Sequence, residues 1–220
     1  SIWTLSFYTS RMLREDMQRQ LGEQQFATVS MLAAQIDREL EIRLQALRTA
    51  SGMAAQILRD TPSTLQTFMD QRAALQTLFN GGVVVHDMQG VAIADYPISA
   101  GRLGINYGDD SLVIAALKDG RESISKPTVG RKLQAPIVVM TVPMRNAEGA
   151  IIGALSGAIN LGLPNFLDQI TDNRYGKSGG YLLIAPQHRL IVTATDKKLI
   201  MQPLPPPGEN ASIDKFNASD

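Results

Sequence analysis

Over residues 11–59 apolar side chains recur at helical spacing, at Ala33, Ile36, Leu40, Leu44, Leu47, Ala54 and Leu58. Arg, Glu and Gln fill the other positions, and the stretch holds no proline and only two glycines, Gly22 and Gly52. This pattern predicts one long amphipathic helix of high intrinsic propensity. At about 1.5 Å per residue it would reach roughly 70 Å. Thr61-Pro62 stops it, and Pro62 suits the first turn of a second helix with Thr61 as its N-cap. That helix is expected to run to about Leu78, with Leu65, Phe68, Met69, Leu75 and Leu78 on its apolar face. Asn80-Gly81-Gly82 closes it, since glycine readily takes the left-handed conformation at a helix end.

From Gly82 the period shortens to that of strands. Five are predicted: Gly82–Asp87, Val91–Tyr96, Ser123–Val129, Ile137–Pro143 and Gly153–Leu161. The first two form a hairpin across Met88-Gln89-Gly90. A loop with Gly101, Gly104 and Gly108 follows, and then a short helix, Ser111–Lys118, ending at Gly120. The next pair is joined by Gly130-Arg131-Lys132-Leu133-Gln134, and Asn146–Gly149 turns into the last strand. Antiparallel neighbours with short links and helices on the sheet make an α+β domain, and the order of its pieces resembles that of a PAS-like module. Beyond Pro164, Asn165–Asn173 reads as a connecting helix. Tyr181–Ile184 and Leu190–Thr193 then echo the first hairpin, with Pro186-Gln187-His188 at the turn. This is the start of a second, smaller copy of the module. Pro203–Gly208 is a stiff, extended segment, and the copy is not completed before Asp220.

Composition narrows the function. The chain has 220 residues, 44% hydrophobic and 19% charged, enough to bury a real core. Its 21 basic and 21 acidic residues cancel, which argues against nucleic acid as the partner. The absence of cysteine removes disulfides, thiolate zinc sites and thiol catalysis, and two histidines are too few for a multi-histidine metal site. No cofactor is implied. The first residues, Ile2-Trp3-Thr4-Leu5-Ser6-Phe7-Tyr8, are apolar and aromatic, and Arg11, Arg14, Glu15 and Asp16 follow. They look like the outer end of a membrane span, where Trp and Tyr sit at the interface. A span itself needs about 20 residues. A hydrophobic turn packed on the core is the competing explanation. A chain starting at Ser1 is expected to be a fragment or a processed form.

Taken together, the long helix, the Val83–Tyr96 hairpin, the Gly101–Asp109 loop, the Ser125-Lys126-Pro127 strand, the Val142-Pro143 strand end and the run Gly149…Gly153–Leu161 resemble the double Cache (PDC-type) extracytoplasmic sensor domains of bacterial receptors. Gly176–Ile184 and Ala194–Met201 are similar to the opening of the second lobe. The likeness spans nearly the whole chain but rests on no single specific motif. It implies a helical region over 1–79, a membrane-distal sensing lobe over 80–163 and a partial membrane-proximal lobe over 164–220. It further implies a small-molecule ligand, a membrane anchor, a periplasmic location and an absent cytoplasmic output domain, and the length of the N-terminal helix suits a homodimer joined along residues 12–58. The run Asp196–Asp214 is most similar to Cache domains on diguanylate cyclase proteins, ahead of histidine kinases and chemotaxis receptors. The second reading from the residues is a structural or protein-interaction module holding no ligand.

The resemblance puts the ligand between the sheet and residues 96–118. Strand alternation places Ser156, Ala158 and Asn160 on one face, which the family alignment turns toward the pocket. Candidate ligand contacts are Tyr96, Tyr107, Asp109, Lys126, Arg131 and Ser156. Each has an ordinary explanation as well. The tyrosines can be core rings with a bonded hydroxyl, and Lys126 and Arg131 can be solvated loop charges. Asp109 or Asp110 can cap the following helix, which is favoured over a cation site. Amino-acid-binding members carry an Arg where Asp109-Asp110-Ser111 stands here, and an Asp where Ala158 stands. His86-Asp87 suggests acid–base chemistry, but Asp87 suits the turn that follows it. No Gly-x-Ser-x-Gly or phosphate-loop motif appears, so the chain is not expected to be an enzyme.

Overall fold

The computed structural model describes residues 2–168, 182–185, 188–206 and 208–209, without the side chains of residues 2–22, 25, 60 and 62. The chain divides into two compact units, Ser1–Glu41 and Ile42–Asp220. The long helix, α1, spans Ile2–Asp60 and so begins inside the apolar N-terminal segment. In the first unit it leaves Phe26, Val29 and Met31 exposed. In the second it buries Leu47, Ala50, Ala54 and Ala55. Among the described residues no helix is long and apolar enough to cross a membrane.

The second predicted helix is broken into three pieces. A 3-10 turn, Pro62–Thr64, leads into α2, Leu65–Asp70, and α3 is Ala73–Leu78. The Thr61 carbonyl accepts the Thr64 N–H at 2.9 Å, the bond that closes the turn, and the Thr64 hydroxyl at 2.8 Å, while α2 starts after Thr64 with no side-chain cap. The break at Gln71-Arg72 is held by non-helical bonds. Gln76 Nε2 donates to the Asp70 carbonyl at 2.8 Å, and the Arg72 guanidinium lies over the Phe68 ring.

The strands are β1 Gly82–His86, β2 Ala92–Tyr96, β3 Ser123–Ile124, β4 Thr128–Val129, β5 Pro136–Arg145 and β6 Ile151–Asn160. They form one sheet in the order β2-β1-β6-β5-β3, with β4 also paired to β5. All its pairings are antiparallel. The predicted strand Ser123–Val129 is thus two short strands. Ser125 takes over the ladder with its side chain: Val139 N–H donates to Ser125 Oγ at 2.9 Å while Ser125 N–H donates to the Val139 carbonyl. Pro127 has no N–H to give, so pairing lapses there. The edge strand β2 is covered at its middle by Gln66, whose amide both donates to and accepts from the Asp95 backbone, at 2.7 and 3.0 Å.

Register separates the two faces of the sheet. Val83, Val85, Met140, Val142, Leu155 and Gly157 share one face through their cross-strand pairing, and the Phe79 side chain lies against Gly157. On the other face runs α4, Ser111–Asp119. Asp110 caps it by accepting the Leu112 N–H at 2.9 Å, and Gly120 ends it in the left-handed conformation. Its buried residues Val113, Ala116 and Leu117 pack with Ala154 of β6, with Tyr107 and Ile151 against them.

Gly82 opens β1 at φ +88°, and a Cβ there would lie 2.1 Å from the Tyr96 carbonyl oxygen and 2.5 Å from Arg102 Nη2. Backbone and guanidinium cannot both yield. Gly82→Ala is therefore expected to cost about 2 kcal/mol or more, read as a lower urea midpoint with an unchanged slope.

A second sheet is smaller. β7, Leu182–Ala185, pairs antiparallel with β8, Leu190–Ala194. Pro203 bridges to Leu190, and Leu204 N–H donates to the Arg189 carbonyl at 2.8 Å. The proline-rich segment is therefore laid along β8. Ile191, Ala194 and Leu204 form its buried cluster. Asp168 is joined to Lys197 by an ion pair. The predicted Asn165–Asn173 helix and the turn residues Pro186 and Gln187 lie largely outside the described residues.

Candidate ligand-binding site

The α4 face of the sheet carries a cavity of about 200 Å³. Alternation supplies its floor. Gly82, Val84 and His86 come from β1, Ser156 and Ala158 from β6, and Ile137, Val139 and Thr141 from β5. One wall is Arg102, Tyr107, Asp110 and Val113, and the other is Thr128–Leu133, the tip of the β4–β5 hairpin. A mostly apolar pocket with a few convergent polar groups is the usual form of a small-molecule site.

Three side chains link across the floor. His86 Nε2 lies 3.0 Å from Ser156 Oγ, and Ser156 Oγ lies 2.9 Å from Thr141 Oγ1. All three are buried, and His86 Nδ1 has no hydrogen-bond partner. Burial lowers the His86 pKa to about 4, against the opposing pull of the Gly90 backbone and the Asp110 charge. The ring is therefore neutral at physiological pH. Its tautomer sets the direction of the relay: Nε2–H donates to Ser156, or Ser156 donates to a bare Nε2. The Tyr107 ring meets the imidazole edge to face, with centroids 5.3 Å apart. Burial also raises the Tyr107 hydroxyl pKa, so the phenol stays protonated and able to donate.

Beside the relay is a buried ion pair. Arg102 Nε donates to Asp95 Oδ1 at 2.7 Å, and the Arg102 backbone N–H donates to Oδ2 at 2.9 Å. Nη1 and Nη2 donate to the Gly81 and Tyr96 carbonyls, at 2.9 and 2.7 Å. Arg102 thereby ties the loop after β2 to the start of β1 and the end of β2 and fixes the cavity wall.

Arg131 stands at the mouth. Its Nη2 donates to both Asp109 oxygens, at 2.9 and 3.0 Å, and its Nη1 donates to the Asn106 carbonyl at 3.1 Å. Its guanidinium also lies 5.3 Å from the Tyr107 ring centroid. The Arg131 hydrogen bond holds the Asp109 carboxyl below its usual range. An exposed pair of this kind adds little stability but joins the two loops flanking the opening.

Of the residues proposed from sequence, Tyr107, Arg131 and Ser156 meet at the cavity. Asp109 is just outside, in the Arg131 pair, and Asp110 is the helix cap. Tyr96 pairs with Val83 and so shares the opposite face. Lys126 is exposed between β3 and β4, away from the lining. Sequence reasoning missed His86, Arg102, Asp110 and Thr141 as lining groups. His86 carried a legible signal, since it continues the Gly82–Val84 alternation.

No family model matches the chain, and no curated protein matches it. Solved structures do. The ligand-binding domain of the Pseudomonas fluorescens chemoreceptor CtaA, in complex with L-serine, is 18% identical with a TM-score of 0.63 over 84% of this chain and 78% of that one. The ligand-binding domain of the Pseudomonas aeruginosa amino-acid chemoreceptor PctC, in complex with GABA, is 21% identical with a TM-score of 0.62 over 81% and 82%. This chain has the Cache-type sensor fold. An extracellular ligand-binding receptor from Desulfohalobium retbaense is also similar, at 18% identity and a TM-score of 0.59, over 86% of this chain and 34% of that one. Identities this low speak to the fold, an α+β Cache-like architecture with a long N-terminal helix, a main antiparallel sheet and a small second sheet.

Proposed function

We propose that this chain is the extracytoplasmic ligand-sensing domain of a membrane signal-transduction receptor. A small molecule binds the cavity on the α4 face of the sheet. The observation that carries this reading is the cavity itself: a part-apolar chamber with the His86–Ser156–Thr141 relay at its floor, on a fold shared with chemoreceptor ligand-binding domains. The division into a sensing lobe over 80–163 and a partial lobe over 164–220 belongs to the same proposal.

The ligand is small and at least partly polar. The lining that would meet it includes Tyr107, Lys132, Ser156 and Thr141, with Asp110 as the carboxylate. The module itself is read as non-catalytic, with periplasmic placement, a membrane anchor and a diguanylate cyclase output, the last on the likeness of the Asp196–Asp214 run. Homodimerisation is assigned to the N-terminal half of α1, where Phe26, Val29 and Met31 are exposed. Leu47, on the apolar stripe of the same helix, is fully buried within the monomer.

The test is a thermal-shift screen against amino acids, organic acids, amines and purines. A ligand present at about 100 times its dissociation constant adds roughly 2.7 kcal/mol, a readily visible rise in Tm. A flat screen across these classes argues for the structural or protein-interaction module.

A further inference from the structure

We propose that the Arg48–Glu122 ion pair is the contact through which occupancy of the cavity reaches α1. This rests on the reading of the cavity as a ligand site. Arg48 grips Glu122 with two parallel bonds, Nε to Oε2 at 2.8 Å and Nη2 to Oε1 at 2.5 Å. Such a fork fixes orientation as well as distance, and it holds the Glu122 carboxyl below its usual range.

The position of Glu122 along the chain gives the pair its role. Just before it, α4 brings Asp110 and Val113 to the cavity wall. Just after it, Ser123 pairs with Thr141, whose hydroxyl belongs to the floor relay. Glu122 therefore sits at the junction of a wall and a floor that a ligand would touch together. The pair is partly exposed, with side-chain exposures of 35% and 39%. A pair so exposed adds little to stability, so its consequence lies in what it joins.

A second arginine holds α1 elsewhere. Arg43 Nε donates to the Leu78 carbonyl at 3.2 Å, and its guanidinium stacks 3.8 Å over the Phe166 ring. Neither Leu78 nor Phe166 lines the cavity. Besides the apolar face that α1 packs against this unit, one arginine ties it to the segment just past the end of α4 and another, five residues away, ties it to segments that do not line the cavity. Displacement of residues 120–122 on binding pulls at Arg48 and not at Arg43, and the difference tilts or shifts α1.

The cysteine-free sequence allows a test that needs no identified ligand. Val139→Cys places one thiol in the cavity floor with little change of shape. Propyl methanethiosulfonate then tethers an occupant there. Hydrogen exchange is followed with and without the tether in residues 111–122 and in residues 44–58. Tethering is expected to change exchange in both segments. With Glu122→Gln added, the response of residues 111–122 persists and that of residues 44–58 is lost. The double exchange Arg48→Glu with Glu122→Arg restores it, which a merely structural role would not require. An α1 response equally strong with Glu122→Gln overturns the coupling, as does a response confined to residues 111–122 in the otherwise unsubstituted chain. A Val139→Cys thiol that does not react, or a tether that changes neither segment, removes the cavity reading and the coupling with it.

Discussion

Arg102→Ala is expected to lower stability by about 3–5 kcal/mol, the largest single effect of any substitution in the cavity wall. Asp95 is fully buried. Removing the guanidinium leaves its carboxylate without a counter-charge, and it also takes one donor from each of the Gly81 and Tyr96 carbonyls. An uncompensated buried charge costs far more than the pair gains by forming, because desolvation is then unopposed. Arg102→Lys is expected to recover only part of the loss, since one ammonium cannot reproduce the fork that serves Asp95 and two carbonyls. Adding Asp95→Asn to Arg102→Ala is expected to return much of it by removing the stranded charge. Urea midpoints of the three variants check the order: Arg102→Ala lowest, the other two between it and the parent chain. If Arg102→Ala cost less than about 1 kcal/mol, the buried pair would not be what fixes this wall.

Acid is expected to weaken the fold before its carboxylates titrate. His86 is neutral when folded, with its pKa lowered from 6.5 to about 4 by burial. In the unfolded chain the imidazole takes up a proton once the pH falls below its ordinary value. Between the two values the unfolded state binds more protons, so stability falls as pH falls across that window. The loss amounts to roughly 3 kcal/mol, at about 1.4 kcal/mol per pKa unit. Asp109 and Glu122 contribute later. Their lowered values hold stability above the ordinary carboxyl range and release it as pH drops through the folded values. His86→Gln is expected to flatten the dependence between about pH 6.5 and 4 while leaving the steeper acid limb. A parent chain equally stable across that window would show that His86 is hydrated and that the floor is open to water.

Periodicity made the larger elements legible. The apolar stripe of α1 and the alternation of β1, β2, β5 and β6 follow from local sequence, and the order of elements was enough to resemble a Cache domain. Two departures have local causes that spacing does not register. Pro127 interrupts the third strand by lacking an N–H, and Gln76 and Arg72 hold a turn in what reads as one helix. The cavity was harder. Ser156 was found because β6 is long and its parity unambiguous. Tyr96 was misplaced because the parity of β2 is fixed by its register against Val83, which the sequence of β2 alone does not specify. Arg102 and Asp95 were missed for a related reason. They are seven residues apart, and only the folding back of the glycine-containing loop brings them together. Arg131 and Asp109 come from different loops, and each alone looks like a solvated charge.

The most direct measurement is calorimetric titration of the compound that gives the largest thermal shift, into the parent chain and into Val139→Trp. Val139 lines the cavity, so the indole takes up space that a ligand would occupy. A cavity-bound ligand predicts saturable one-to-one binding to the parent chain and none to the folded variant. Equal affinity for both would place the ligand elsewhere and contradict the cavity as the sensing site.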